Sequence, residues 1–219
     1  MNWARWRSIP WIDTRANFVA EVPRHGSLLD LGSSDGQTLC HMWELRPDLR
    51  FASVDIAERP ARTPPNTDFT RADLETDSLP WLDNSFDAIT CMHVVEHLRT
   101  TKNFWREVAR LLKPGGRVYV ETPGPESVRT PSPPGYLHRK VTMNFYDDPT
   151  HIQVVPISAL VDSAGEVGLT TRKRGRSRNW LLAAAYPMFL LLPPRRKRYV
   201  AKLHWLGWSA YLIAEKPAS

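Results

Sequence analysis

This chain predicts an open α/β sheet with helices on both faces. Three observations carry that expectation. Short apolar runs alternate with helically spaced ones between residues 26 and 122. A glycine turn follows the first apolar run, and an acid stands at or just past the tips of the first three. Alternation of this kind builds parallel strands linked by crossover helices.

In order, "SLLDL" (27–31) is a short strand ending at Gly32, and "RFASVD" (50–55) is a second ending in Asp55. Between them "DGQTLCHMWELRPD" spaces Leu39, Met42 and Trp43 as on a helix that closes at Pro47. "TDFTRAD" (67–73) reads as a short strand and "FDAITCM" (86–92) as a buried one. "TKNFWREVARLLKPGG" (101–116) is an amphipathic helix ended by Pro114-Gly115-Gly116, with Phe104, Val108, Leu111 and Leu112 on one face. "RVYVET" (117–122) is the next strand. Residues 123–150 carry six prolines, too many for a regular element. Helix returns at 156–169, and "TTRKRGRSR" with "WSAYLIAEKP" form an antiparallel edge interrupted by residues 179–204.

The chain reads as one domain over 1–219: a helical N-terminal cap (1–25), a cofactor-binding core (26–122), and substrate or lid insertions at 123–155 and 179–204. Of its 219 residues 42% are apolar and 24% charged, ordinary for a soluble globular protein. Cys40 and Cys91 lie in apolar contexts and make no disulfide framework, so a reducing, cytoplasmic setting is expected. The first residues lack a signal-peptide pattern, and no apolar stretch has the length of a membrane span. The net charge of +6 is uneven. From Arg172 onward there are eleven Lys/Arg and one acid, which leaves residues 1–171 with a net negative charge.

"LLDLGSSDGQT" is the most informative stretch. Its strand–glycine–helix order aims backbone N–H groups and a helix N-terminus at a ligand over the strand's carboxyl end. Asp30 stands at the first strand's end, where it can meet a positive group. Asp55 ends the second, where a carboxylate can bind both ribose hydroxyls. Asp73 follows the third, placed for an adenine amino group. An acid in Gly32-Ser33-Ser34-Asp35-Gly36 would repel a pyrophosphate, so this turn does not suit a dinucleotide.

With "VD" (54–55), "ADLETDSLPWLDNSFDAITCMHVVEHL" and "LLKPGGRVYVETP", that stretch resembles the class I S-adenosylmethionine-dependent methyltransferases over roughly residues 26–122. "ALVDSAGEVGLTT" is a weaker echo further on. Ser34 departs from the pattern, standing where the family usually has a second glycine. The resemblance implies a doubly wound, Rossmann-like sheet of seven strands, mostly parallel, with the last antiparallel. It implies S-adenosyl-L-methionine as cofactor: Asp30, Gly32, Ser33 and Ser34 around the methionine part, Asp55 and Ile56 at the ribose, Asp73 and Leu74 at the adenine, and Cys91 and Met92 near the transferred methyl.

Two clusters offer catalytic groups above the strand ends. His93-x-x-Glu96-His97 has a spacing a zinc peptidase could use, but it follows a strand directly. The same residues resemble the patch that some ubiquinone-pathway O-methyltransferases use for a divalent cation. His93 replaces an acid there, which suits magnesium poorly. Histidines serving only the fold are the alternative. The second cluster, "NFYDDPTH" (144–151), pairs Asp148 with His151, an arrangement suited to a general base, with His93 as a further candidate. The competing reading makes Asp148 and Thr150 turn formers and His151 a packing residue.

The expected function is O-methylation of a hydroxyl on a sugar, glycan or other small acceptor. The alternatives are N- or C-methylation of a metabolite or tRNA, or a non-catalytic partner subunit. "WLLAAAYPMFLLLPPRRKR" reads as a lid or as a contact in a homodimer, the chain otherwise being monomeric. It is also suited, through residues 181–198, to the inner face of an anionic membrane and a lipid-linked acceptor. No motif supports nucleic acid as a partner.

Overall fold

The computed structural model describes residues 3–218. The strands are β1 (Ser27–Leu31), β2 (Arg50–Asp55), β3 (Asp68–Arg71), β4 (Phe86–Met92), β5 (Leu112–Pro123), β6 (Thr170–Arg176) and β7 (Ser209–Glu215). They form one seven-stranded sheet in the order β3-β2-β1-β4-β5-β7-β6. The pairs β1/β2, β1/β4, β2/β3 and β4/β5 are parallel, and β7 runs antiparallel to both β5 and β6. Order reverses beside β1, so a crevice opens over the carboxyl ends of β1 and β4.

The helices are α1 (Thr14–Ala20), α2 (Gln37–Leu45), α3 (Lys102–Leu111), α4 (Ile157–Glu166), α5 (Trp180–Phe189) and α6 (Arg196–Leu206). The period-2 pleat sends alternate residues of each central strand to opposite cores. Leu29, Leu31, Ile89 and Val118 join Phe104, Val108 and Leu160 on the α3/α4 side. Leu28, Ala88 and Tyr119 join Phe18, Leu39 and Met42 on the α1/α2 side.

One boundary falls earlier than its sequence pattern predicts. The helix expected over 101–116 stops at Leu111, and Leu112 to Gly116 already belong to β5. Pro114 disfavours helical backbone at Lys113, so the break precedes the proline. The extra residues loop out of the ladder, which shifts register between Phe86/Leu112 and Ala88/Arg117. The two glycine backbones pair instead with Lys216, at 2.8 and 2.9 Å. After Pro123 ends β5, residues 124–150 hold short 3-10 helices as their regular structure among the described residues.

Candidate active site

The turn after β1 is built around Gly32, at φ +80°, where a Cβ would lie 2.2 Å from Val94 Cγ2. Only glycine fits a left-handed backbone with a side chain that close. Ser34 also adopts left-handed geometry, at φ +48°. Its N–H donates to Asp55 Oδ2 at 2.7 Å, while Asp55 Oδ1 accepts from the Ala57 N–H at 2.9 Å. The tips of β1 and β2 are thereby fixed to each other.

Two joined cavities, of about 430 and 440 Å³, lie over these tips and share Gly32, Ser34, His93, His97 and Asp148. The second is lined by Asp55, Ile56, Asp73 and Leu74. Asp73 Oδ1 accepts from the Glu75 N–H at 2.8 Å. The first is lined by Asp30, Ser33, Met92, His151 and Trp208. The Ser33 hydroxyl there is buried and has no partner among the described residues. Asp30 accepts from Thr90 Oγ1 at 2.7 Å. Burial pushes its carboxyl up to about 6 against that hydrogen bond, and the nearby Asp55 adds to the rise. A larger cavity of about 750 Å³ opens at the opposite, amino-terminal strand ends, around Ser27, Arg50 and Phe86, away from this chemistry.

Cys91 does not join the cavity. Its side chain lies fully buried in the α3/α4 core, because the pleat turns it away from the face that Met92 presents. Of the two residues ending β4, Met92 alone lines the space.

His93 differs most from its expected roles as base and metal ligand. It sits at φ +58°, and the tetrad is no α-helix: Val95–His97 form a 3-10 turn. Nδ1 lies 3.1 Å from Glu96 Oε1 and Nε2 lies 3.2 Å from Glu121 Oε1. Ser209 Oγ lies a further 3.2 Å from Nε2, and carboxylates beside both ring nitrogens favour the imidazolium form. Burial alone would lower its pKa, but these carboxylates hold it at about 9. In that form the ring has no lone pair free for a proton or a metal.

Glu121 and Arg15 complete this buried network and carry no recognisable local motif. Arg15 donates to Glu121 through Nε at 2.9 Å and through a second nitrogen. Tyr119 Oη donates to the same carboxylate at 2.5 Å. Asp13 caps α1 by accepting from the Arg15 and Ala16 N–H groups, which aims Arg15 at the cavity wall. An acid inside the apolar run "RVYVET" was the available signal for Glu121.

His97 and His151 are arranged differently. Their rings lie against each other, centroids 4.8 Å apart and planes tilted by 53°. His151 Nδ1 is 2.6 Å from the Phe145 carbonyl oxygen, and His97 Nδ1 is 3.1 Å from that of Thr150. Carbonyls accept, so each Nδ1 carries a proton, and Nε2 is the ring nitrogen left for other partners. Asp148 Oδ2 stands 4.0 Å from His151 Nε2. Burial pushes Asp148 up, but hydrogen bonds from Thr150 outweigh it and keep the carboxylate below its usual range.

One ligand atom from each of Glu96, His97 and His151 lies within 4.8 Å of the others. Among the described residues Glu96 Oε2 is buried and has no partner. Among those residues the group able to hold a cation is Glu96, His97 and His151, with His151 in the place expected for His93.

A seven-stranded sheet of this order, with a glycine turn and acids over its carboxyl edge, is the Rossmann-like methyltransferase fold, and the chain is similar to the class I S-adenosylmethionine-dependent methyltransferases. Residues 29–120 match the family model described as a methyltransferase domain. The ubiquinone biosynthesis O-methyltransferase of Aeromonas salmonicida is 25% identical over 105 residues, 48% of this chain and 36% of that protein. The methyltransferase YcgJ of Bacillus subtilis is 30% identical over 148 residues, 64% and 55% of the two chains. The chain spans about half the length, or less, of the curated relatives it matches. Its fold resembles the solved complex between the Haloferax volcanii Trm112 methyltransferase activator and a methyltransferase, at TM-score 0.67 and 16% identity, covering 98% of this chain and 97% of that one.

Proposed function

We propose that this chain transfers a methyl group from S-adenosylmethionine to a hydroxyl of a small-molecule or glycan acceptor, with His151 as general base. The residues present fit the cofactor. Among the described residues the Ser33 hydroxyl lacks a partner at the methionine end, Gly32 holds the turn on a backbone that Val94 leaves to glycine alone, and Asp55 and Asp73 line the adenosine end. The cofactor supplies the methyl on a sulfonium. Asp30 and Met92 line the cavity where they would meet the positive end of that ligand.

The observation that carries the O-methyl reading is the His151 ring, locked by the Phe145 carbonyl so that Nε2 is its basic atom. Asp148, near that nitrogen, stabilises the ring once it has taken the acceptor's proton. His93 and Arg15, each held by buried carboxylates, shape the wall opposite without exchanging protons. The ubiquinone-pathway relatives, named as O-methyltransferases, support the same reading.

Turnover of an acceptor library by His151→Ala, beside calorimetry of cofactor binding, tests the assignment. Loss of turnover with binding retained supports it. Unchanged turnover points to an acceptor that needs no base, such as an amine or a carbon centre. Absent cofactor binding points to a non-catalytic partner subunit.

A second reading rests on the unpartnered Glu96 Oε2. Glu96, His97 and His151 would hold a divalent cation, and two imidazoles favour zinc over magnesium. Such a cation would polarise the acceptor oxygen, and it would take the His151 lone pair that the first reading uses as base. Chelation by EDTA separates the two: turnover that falls and returns on metal add-back supports the cation, and turnover that persists supports the free base.

A further inference from the structure

We propose that the hairpin formed by α5 and α6 docks the protein onto an anionic lipid surface. Its tip exposes a run of aliphatic side chains: Met188 (71%), Leu190 (46%), Leu191 (87%) and Leu192 (56%). Single exposed leucines are ordinary, but four clustered at one protruding turn form a patch that water covers at a cost. Directly after the tip come Arg195, Arg196, Lys197 and Arg198, with Lys202 one turn further along α6. Residues 167–214 contain no acid, and none of these five cations has an acidic partner among the described residues.

Charge decides the occupant. A second copy placed symmetrically on this hairpin would bring two uncompensated cationic clusters together, which opposes a homodimer. A nucleic acid backbone would satisfy the cations but leave the aliphatic tip in water. An anionic bilayer satisfies both: acyl chains take the leucines, and headgroups take the arginines and lysines at the same depth. No helix among the described residues is long and apolar enough to cross a membrane, so the contact is peripheral.

The hairpin is also tied to the cavity. Arg196 Nε donates to the Lys140 carbonyl at 3.3 Å, and Trp208 Nε1, just after α6, donates to the Met143 carbonyl at 2.6 Å. Trp208 and Thr142 line the space beside His151. Docking through this hairpin thus joins the lipid surface to the acceptor side, which suits a lipid-linked acceptor. That last point rests on the methyltransferase reading; the docking does not.

The test is vesicle co-sedimentation of the full chain. We use vesicles of about one third phosphatidylglycerol in phosphatidylcholine, and vesicles of phosphatidylcholine alone. The expected result is binding to the first and far weaker binding to the second. Leu190→Ser, Leu191→Ser and Leu192→Ser combined should weaken binding on the order of tenfold or more. Arg195→Gln, Arg196→Gln, Lys197→Gln and Arg198→Gln combined should weaken it on the order of a hundredfold. Unchanged thermal midpoints and cofactor binding establish that both variants remain folded. The proposal is overturned if the wild type ignores anionic vesicles. It is equally overturned if the leucine variant binds as well as wild type, or if sedimentation velocity shows a dimer that the leucine substitutions dissociate.

Discussion

His151 Nδ1 sits 2.6 Å from the main-chain oxygen of Phe145, and this single contact decides which ring nitrogen can do chemistry. It assigns the proton to Nδ1 and leaves Nε2 beside Asp148. The capped turn at Asn144 holds Phe145 in place: the Asn144 side chain accepts from the Tyr146 N–H, and Asp147 accepts from the Asn144 N–H.

The first expectation concerns that ring. His151→Ala should lower kcat about 10²- to 10⁴-fold while cofactor affinity changes little, the range removal of a general base produces. Asp148→Asn should have a smaller effect, since it stabilises the charged ring rather than taking the proton. Single-turnover kinetics with paired calorimetry separate the two contributions.

Asp30 makes cofactor binding depend on pH. Its carboxyl is raised to about 6 in the folded chain, so at pH 5 it is mostly protonated. A cationic ligand favours the ionised form, and affinity should therefore rise with pH through about 6 and level off above it. Asp30→Asn should flatten that profile. For the unliganded protein the sign is opposite. The neutral carboxyl is the favoured folded form, so stability should fall as pH rises from about 4, the usual aspartate value, to about 6. Calorimetric titrations and denaturant midpoints across this range check both.

Glu121→Ala should destabilise the fold by roughly 3–5 kcal/mol, the cost of leaving a buried charge without its partner. The carboxylate is fully buried and binds Arg15, His93 and Tyr119 together. Replacing His93 as well should recover part of the loss, because the second substitution removes one of the stranded cations. Thermal and urea unfolding of the single and double variants measure it.

Much of the sheet is legible before any coordinates exist. β1, β2 and β4 coincide with apolar runs, β1 stopping at Gly32 and β2 at Asp55, because a strand buried on both faces needs largely apolar residues. What is illegible comes from long-range partnership. His93 looks like a base until Glu121, 28 residues away, is seen on its Nε2. Arg15 reaches the site only because α1 folds against β5. Cys91 and Met92 are neighbours in sequence, yet the pleat puts one in the core and the other in the cavity. Where α3 ends is a local matter, set by Pro114 acting one residue earlier than a glycine stop would.

Gly32→Ala should abolish measurable cofactor binding. Its Cβ would meet Val94 at 2.2 Å on a backbone at φ +80°, so either the turn or Val94 must move. A destabilisation of about 1–3 kcal/mol should accompany the loss. Circular dichroism and a thermal melt distinguish a displaced turn from global unfolding.

Calorimetric titration of the full chain with S-adenosylmethionine is the most direct test of the cavity over β1, β2 and β4 as a cofactor site. One cofactor should bind per chain, and binding should be lost in Asp55→Ala, which stays folded with a thermal midpoint lowered by the loss of its bonds to the Ser34 and Ala57 N–H groups. No heat of binding at high protein concentration, or full binding by folded Asp55→Ala, would contradict it.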